Sequence, residues 1–382
     1  DLHAVYNSVL LNTTMANMTT SGSSNSSLVG TGDELDTSGA QFWLHGVVGN
    51  ILAVFGLFGN ALSIVVLCNR RMRSSTSYYL ISLAVYDNFI LLSMVFFFNL
   101  PAISEHTSAI QDYNNNFQHV IPFAYPLSLA AQMGSIYTCV AFTIERFIAV
   151  CRPLHAANTC TKSRAKRAIL LIFLWSMLYN VPRYFHYEIQ SVYDNETGQH
   201  VARMTESEFG RDEVFQHVYI IYFQLFFMFL LPFLIILVLN TALVRAIKRS
   251  FHQRQEMSTS ATREHNLTVM LVAVIIVFLV CQFPTIVDNI LVAIVGYERH
   301  GGKASFVLFY YFCTFMVTIN SSINFILYCL FGKKFRMVLC HILGLRKGGS
   351  QENQYRSTIF QSRANGTRLT TNCGTYDMEV SL

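Results

Sequence analysis

Seven long apolar stretches, separated by shorter polar segments, set the pattern of this chain. A helix that crosses a hydrocarbon core about 30 Å thick needs roughly 20 apolar residues. The stretches meet that length, and their apolar character continues around the whole helix rather than along one face, which is typical of membrane spans. The pattern predicts an all-α membrane protein, a seven-transmembrane helix bundle within residues 46–330. The predicted spans are 46–68, 78–101, 120–150, 168–187, 218–242, 267–295 and 306–330.

The segments on either side of the bundle have different patterns. Residues 1–45 are rich in Ser, Thr, Asn and Gly without hydrophobic periodicity, which predicts a disordered tail. Residues 331–343 carry apolar side chains at helical spacing with basic residues between them, which predicts a short amphipathic eighth helix on the membrane surface. Cys340 in this segment is a candidate for palmitoylation, and an ordinary buried cysteine is the alternative. Residues 344–382 are predicted to be a disordered cytoplasmic tail.

The composition supports a membrane protein and argues against several other classes. Of the 382 residues, 52% are hydrophobic and only 13% are charged, whereas soluble domains average about 25% charged residues. No metalloprotease, nucleophile-elbow or phosphate-loop motif is present in the sequence, so we do not expect an enzyme. The formal net charge of +5 comes from loop residues and does not indicate nucleic-acid binding.

The distribution of Lys and Arg predicts the orientation in the membrane. Cytosolic loops are enriched in these residues, and most of the 27 basic residues fall in alternate loops and the C-terminal tail. The N-terminus is therefore predicted to be extracellular, with the C-terminus in the cytosol of a multi-pass plasma-membrane protein. The basic segments are 70–73, 146–167, 245–263, 333–347 and 356–368.

Glycosylation sequons and cysteines agree with this orientation. Asn12, Asn17, Asn25 and Asn195 each begin an Asn-x-Ser/Thr sequon, and all four lie on the predicted extracellular side. None of the nine cysteines lies in a predicted outer loop. An extracellular disulfide framework is therefore not available.

Several apolar stretches contain polar or helix-breaking residues at membrane depth. Ionised groups in the membrane are costly and usually mark functional sites, and prolines kink helices. Each residue taken alone could instead be packing, because polar side chains also join membrane helices. The third stretch ends in the charged pair Glu145-Arg146, followed by Phe147. The other positions are Asn60, Asp87, Ser135, Pro182, Pro232, Gln282, Pro284, Asn320 and Asn324.

In this order, these features resemble the rhodopsin-like (class A) G-protein-coupled receptors over about residues 46–345. Within that superfamily the chain is most similar to the invertebrate FMRFamide neuropeptide receptors. The segments that carry this closer resemblance are 72–88, 143–156, 160–169, 179–185 and 318–336.

The resemblance implies an activation switch at the cytosolic end. Glu145-Arg146-Phe147 is similar to the family's Asp-Arg-Tyr motif, in which the acid holds the arginine at rest and the freed arginine meets the G protein. Asn324 and Tyr328 correspond to the Asn-Pro-x-x-Tyr switch. The implied partners are a heterotrimeric G protein, with arrestin and kinases at the C-terminal tail.

The resemblance also implies two sites deeper in the bundle. The first is a pocket for a sodium ion acting as an allosteric modulator; no other cofactor is expected. The second is a packing triad that rearranges on activation, next to Gln282 and Pro284. The sodium residues are Asp87, Ser135, Asn320 and Asn324, and the triad is Ile136, Pro232 and Phe278.

Three positions depart from the superfamily pattern. Phe325 replaces the proline of Asn-Pro-x-x-Tyr, so we expect the seventh helix to bend less there. Gln282 replaces the tryptophan of the Cys-Trp-x-Pro motif and is expected to act through hydrogen bonds instead. Ile121 stands where the superfamily has its disulfide cysteine, so the loop between spans four and five is expected either to be held by other contacts or to be unusually mobile.

An RFamide peptide ends in an arginine and an amidated phenylalanine, and its receptor must offer a carboxylate to the guanidinium. Asp288 is the first candidate because it lies one helical turn outward of Pro284. Other candidate acids are Glu105, Glu188 and Glu213. Candidate pocket walls are Tyr125, Gln132, Gln224, Gln282, Asn289, Tyr310 and Tyr311.

Two alternatives remain open from the sequence. One is a receptor for another small amidated peptide, myosuppressin-like or thyrotropin-releasing-hormone-like. The other is an ion-coupled transporter or channel, although no inverted repeat is visible. A retinal-binding light receptor is excluded because the seventh stretch contains no lysine.

Overall fold

The structure is a computed structural model that describes residues 37–104, 107, 119–194, 199–253, 259–295 and 304–345. Seven helices in these ranges are long and apolar enough to cross a membrane, which confirms the predicted bundle. The helices are α1 (Thr37–Cys68), α2 (Ser75–Ser104), α3 (Ile121–Cys151), α4 (Lys162–Phe185), α5 (Phe215–Leu230 continued by Leu231–Gln253), α6 (Thr259–Val295) and α7 (Ala304–Phe331). A short helix, Pro153–Thr159, begins at a proline in the basic loop between α3 and α4.

The helices begin earlier or end later than the apolar pattern predicted. α1 starts at Thr37 rather than at residue 46, so the assignment of residues 37–45 to the tail was wrong. This first part is helical because it packs on α7: His45 is fully buried, and its ring Nε2 lies 3.1 Å from the carbonyl oxygen of Tyr311. α5 continues to Gln253 and α6 begins at Thr259, so both helices include polar sequence beyond the apolar stretches. Hydropathy marks the part of a helix inside the membrane, not where the helix ends.

Two antiparallel strands after α4 form a hairpin that the sequence analysis did not predict. β1 (Tyr187–Asp194) pairs with β2 (Gln199–Glu206), with Tyr187 opposite Glu206. The fourth span was predicted to reach residue 187, but its helix ends at Phe185. We call the end of the bundle that carries this hairpin the outer end, and the opposite end the inner end.

α3 is the most enclosed helix of the bundle and contacts α2, α4 and α5. Its approach to α2 depends on Gly134. A Cβ atom at this position would lie 2.4 Å from two carbons of the Tyr86 ring. A side chain there would displace the Tyr86 ring, so the glycine provides the space in which this ring packs between α2 and α3.

An eighth helix, α8 (Lys333–Ile342), follows α7 and confirms the predicted amphipathic segment. It buries Phe335 and Val338 against the bundle. The Phe335 ring lies 5.5 Å from the ring of Tyr328 and 6.1 Å from that of Phe325. Phe325 thus stands in an aromatic contact between α7 and α8, and α7 runs as one unbroken α-helix past this position.

Candidate functional site

The charged pair at the inner end of α3 is closed by two side chains from α2. One carboxylate oxygen of Glu145, Oε1, accepts hydrogen bonds from Arg146 Nη2 (2.5 Å), Ser75 Oγ (3.0 Å) and Thr76 Oγ1 (3.1 Å). Arg146 Nη2 also donates to Thr76 Oγ1 at 2.5 Å. Glu145 is 6% exposed. This inner lock holds the arginine against its neighbouring acid, the arrangement that the resemblance implied.

Ser75 and Thr76 were not among the predicted site residues. They reach Glu145 because Ser74 caps α2, its hydroxyl accepting from Ser77 N, and places them in the first turn. A run of hydroxyl residues before an apolar stretch predicts a helix cap, but it does not predict a long-range partner. Phe147, the third residue of the motif, is half-buried.

A second acidic residue lies at the centre of the bundle. Asp87 is 0% exposed; its Oδ1 accepts from Ser135 Oγ at 3.2 Å, and its Oδ2 accepts from Asn324 Nδ2 at 2.7 Å. Three of the four predicted sodium residues, on α2, α3 and α7, therefore meet. Asn320 is also buried, but no described hydrogen bond joins it to Asp87; Ser321, the next residue along α7, lies near the carboxylate.

This carboxylate fits a small cation. The described ion pairs join Arg146 to Glu145 and His186 to Glu206, so no described cationic side chain neutralises Asp87. A buried carboxylate is costly without a positive partner. The Asp87 carboxylate and the Ser135 hydroxyl supply oxygen ligands of the kind that hard cations prefer.

The predicted packing triad surrounds a small cavity between α3, α5 and α6. Ile136, Pro232 and Phe278 all line this cavity, together with Gln282. The amide oxygen of Gln282 is buried and has no hydrogen-bond partner among the described residues. We expected Gln282 to act through hydrogen bonds, but no described hydrogen bond involves this oxygen. Pro284 lies within the continuous helix α6.

Asp288 lies inside the outer half of the bundle rather than toward lipid. It is 3% exposed, and it lies close to Tyr310 and Cys313 of α7. Tyr125 of α3 is another close neighbour of Tyr310, and its ring lies 5.9 Å from that of Phe97. Asp288 and Tyr125, both predicted pocket residues, therefore each lie near Tyr310, a third predicted one.

The other predicted pocket residues divide between the interior and the surface. Gln224 of α5 is buried, and its Nε2 donates to Asn289 Oδ1 of α6 at 3.3 Å. Gln132 is half-buried. Glu188 and Glu213 are exposed, so the structure does not bring these two acids into the interior beside Asp288. Solvent is a better partner for a carboxylate than an apolar core, and these two lie at the hairpin and at the start of α5.

Some predicted positions lie outside the described residues. They are Glu105 and the sequon residues Asn12, Asn17, Asn25 and Asn195. Cys340 is described, and it is half-buried on α8.

The root of the hairpin is held by non-covalent contacts at the position where the superfamily uses a disulfide. Ser207 N donates to His186 O at 3.0 Å, and Ser207 Oγ donates to Phe185 O at 2.5 Å. The His186 ring stacks on Tyr187 with centroids 4.1 Å apart. Met204 of β2 is buried in the same apolar cluster as Ile121. Apolar packing and backbone hydrogen bonds therefore occupy the place of the missing covalent link.

Residues 59–328 match the sequence model of the family described as 7 transmembrane receptor (rhodopsin family). The match covers most of the chain and contains the Glu145–Arg146 pair, Asp87, the packing triad and Asp288. The chain therefore belongs to the rhodopsin family of seven-transmembrane receptors, a receptor rather than an enzyme family, and is a multi-pass membrane protein. The predicted family is confirmed.

Individual receptors of this family show which members the chain is similar to. The FMRFamide receptor of Drosophila melanogaster is 34% identical over 316 residues, 82% of this chain and 56% of that protein. The FMRFamide peptide receptor frpr-18 of Caenorhabditis elegans is 26% identical over 332 residues, 85% of this chain and 74% of that protein. The thyrotropin-releasing hormone receptor of Mus musculus is 27% identical over 322 residues, 76% of this chain and 74% of that protein. The aligned part of this chain thus spans little more than half the length of the Drosophila receptor.

Proposed function

We propose that this chain is a plasma-membrane G-protein-coupled receptor, N-terminus outside, that is activated by an RFamide-type neuropeptide. The observation that carries the ligand class is the buried Asp288 carboxylate, which lies near Tyr310, itself a neighbour of Tyr125. A buried carboxylate with a tyrosine nearby suits an arginine next to a phenylalanine, because the guanidinium forms paired hydrogen bonds and the ring packs on tyrosine. The similarity to two receptors named for FMRFamide supports the same ligand class.

Signalling follows from a shift between two states of the bundle. The peptide binds at the outer end and stabilises a state in which the Glu145–Arg146 pair opens toward a heterotrimeric G protein. A ligand shifts this balance only through its different affinities for the two states. The cavity at Gln282, lined by the packing triad, lies between the two ends. We also propose that sodium binds at Asp87 as a modulator, and that arrestin and kinases act on residues 344–382.

A second amidated peptide class is the alternative ligand. The similarity to a thyrotropin-releasing hormone receptor favours a short amidated peptide of that type. The two candidates differ in the arginine: only an RFamide peptide needs a carboxylate partner. We do not propose a transporter or channel, since the chain belongs to a receptor family.

The test compares peptides and receptor variants in the same cells. An RFamide peptide, a myosuppressin-like peptide and a thyrotropin-releasing-hormone-like peptide are applied to the full chain, with calcium and cyclic-AMP reporters read together. Asp288→Asn should weaken the RFamide peptide roughly ten- to hundredfold, the loss expected for one charged hydrogen bond. Replacing the peptide's arginine with neutral citrulline should lower potency on the wild-type receptor by a similar factor. On Asp288→Asn the same replacement should cause little further loss of potency.

The control variant is Glu213→Gln, which removes an exposed acid at the same end of the bundle. It should leave the potency unchanged. Equal potency of the arginine and citrulline peptides on the wild-type receptor would exclude the Asp288 pairing. Activation only by the thyrotropin-releasing-hormone-like peptide would rule out an RFamide ligand and favour the alternative peptide class.

A further inference from the structure

Arg183 is a buried arginine at the outer end of α4, in the turn Val181–Phe185. It is 4% exposed, although arginine is almost never fully buried unless its charge is paired. The pocket prediction did not include it. A guanidinium in this position needs an explanation from its contacts.

The contacts of Arg183 satisfy only part of its hydrogen-bonding capacity. Nη2 donates to the amide oxygen of Gln224, and the guanidinium carbon lies 5.6 Å from the centre of the Tyr219 ring. Nε is buried and has no acceptor within the described part of the chain. No carboxylate in that part forms an ion pair with Arg183. A neutral amide and an aromatic face leave most of a buried charge uncompensated.

Arg183 belongs to the same outer interior as Asp288. Gln224, its hydrogen-bond acceptor, donates in turn to Asn289, the residue that follows Asp288 on α6. Tyr125 lies within electrostatic range of Arg183, and it is also a neighbour of Tyr310. The outer interior therefore has a positive group on the α4–α5 side and a negative group on the α6–α7 side. The two do not form an ion pair with each other.

We infer that Arg183 is a ligand-binding residue that takes an oxygen acceptor of the peptide, a backbone carbonyl or a carboxylate. This inference rests on the proposed peptide-receptor function and adds a second polar anchor to it. The planar guanidinium presents its remaining N–H groups to one oxygen or to a pair of oxygens. With Asp288 binding the peptide's guanidinium, the two anchors fix the direction in which the peptide enters.

The competing explanation is that Arg183 only ties α4 to α5. Tyr219 supports that role, because its hydroxyl donates to the backbone oxygen of Tyr179 on α4 while its ring covers the guanidinium. A purely structural role predicts the same loss for every peptide, whichever oxygen the peptide lacks. A binding role predicts that the loss disappears for one analogue.

The experiment is a double-mutant cycle between receptor and peptide. Arg183→Gln and the wild-type chain are tested with an amidated RFamide peptide and with analogues that each lack one oxygen acceptor. In one set a peptide carbonyl is reduced to a methylene; in the other an acidic side chain is replaced by its neutral amide. Arg183→Gln should lower the potency of the parent peptide roughly ten- to hundredfold. It should cause little further loss for the analogue that lacks the partner oxygen, which identifies its source.

Two further variants keep the result interpretable. Arg183→Lys retains the charge without the planar fork, so it should reach the cell surface and show a smaller loss with the same dependence on the analogue. Arg211→Gln removes an exposed arginine of the outer end and should change no potency. Equal losses for all analogues, at matched surface expression, would overturn the inference. If the wild type responds to no RFamide peptide, the proposed function itself fails; if it responds and only Asp288→Asn is selective, Arg183 is structural.

Discussion

One carboxylate oxygen of Glu145 accepts three hydrogen bonds, and two of the donors come from a different helix. An acid that only neutralised Arg146 would not need Ser75 and Thr76. Because both hydroxyls belong to α2, the inner lock joins α2 to α3 in this structure. Opening the lock therefore breaks contacts between helices as well as an ion pair.

Removing the Thr76 hydroxyl should raise signalling without ligand. Thr76→Val loses hydrogen bonds to both Glu145 and Arg146, each worth about 1 kcal/mol, so the ratio of open to closed states should rise by up to about thirtyfold. Glu145→Gln should raise basal signalling further because it removes the charge. Basal cyclic-AMP and calcium signals at matched surface expression provide the measurement. Thr241→Val, which removes a hydroxyl bonded only within its own helix, is the control; unchanged basal signals in both lock variants would contradict the lock.

Asp87 leads to a different prediction, about the ionic composition of the medium. Sodium should change the affinity of the peptide for the wild-type receptor, because an ion bound at Asp87 favours one state of the bundle. Asp87→Asn removes the charge and should abolish this sodium dependence. Peptide binding to membranes in sodium or choline medium measures it. Asn320→Ala, at a position with no described contact to Asp87, should retain the dependence; a sodium effect that persists in Asp87→Asn would place the ion elsewhere.

Among the structural elements, the hairpin Tyr187–Glu206 has a stability that depends on the protonation state of one histidine, His186. Burial lowers the pKa of His186; Glu206, whose Oε1 lies 3.5 Å from Nε2, raises it, and Arg183 lowers it, with a net lowering. The folded hairpin thus favours the neutral ring. Its contribution to stability is complete above the ordinary histidine pKa of about 6.5 and is lost as the pH falls below that value.

Acidification should therefore loosen the root of the hairpin. Amide hydrogen exchange in β1 and β2 should become several-fold faster from about pH 7.5 to about pH 5.5, after correction for intrinsic rates. His186→Phe, which keeps an aromatic ring but cannot titrate, should remove this change. His217→Phe replaces an exposed histidine and should leave it intact. An identical pH response in wild type and His186→Phe would exclude the histidine as its cause.

α8 provides a test of the predicted lipid modification. Phe335 and Val338 pack one face of α8 against the bundle, and the half-buried Cys340 lies on the same short helix. We predict palmitoylation at Cys340. Exchange of thioester-linked acyl groups for a biotin label should give a signal that Cys340→Ser removes. Cys329→Ser and Cys373→Ser should retain the signal. A signal lost only in one of these controls would place the palmitoylation at that cysteine instead.

At the scale of the whole molecule, orientation can be tested through the sequons. Asn12, Asn17, Asn25 and Asn195 can be glycosylated only if both the N-terminus and the loop after α4 face the lumen during synthesis. Treatment with an N-glycosidase should reduce the apparent mass of the receptor. Replacing all four asparagines with glutamine should remove that change. A mass that the enzyme does not alter would remove this support for the proposed orientation.

The bundle could be predicted from the sequence because each span carries its own signal, a long apolar segment. The positions of Asp87, Asp288 and the packing triad followed from resemblance and from helical spacing. Ser75, Thr76 and Arg183 could not be found in this way, because their roles depend on partners far along the chain. The hairpin was missed for a related reason: short strands carry a weak local signal, and Tyr187 pairs with Glu206, which lies far along the chain.

The cysteine distribution has a practical consequence for spectroscopy on intact cells. No cysteine occurs in residues 1–45, 105–120, 186–214 or 296–305, and the outer half of α7 contains only the buried Cys313. A membrane-impermeant maleimide dye should therefore find no accessible native thiol from outside. One cysteine introduced at the exposed Gln190 of β1 would take the only label. The movement of the hairpin during peptide binding could then be followed in real time, without first removing any of the receptor's own cysteines.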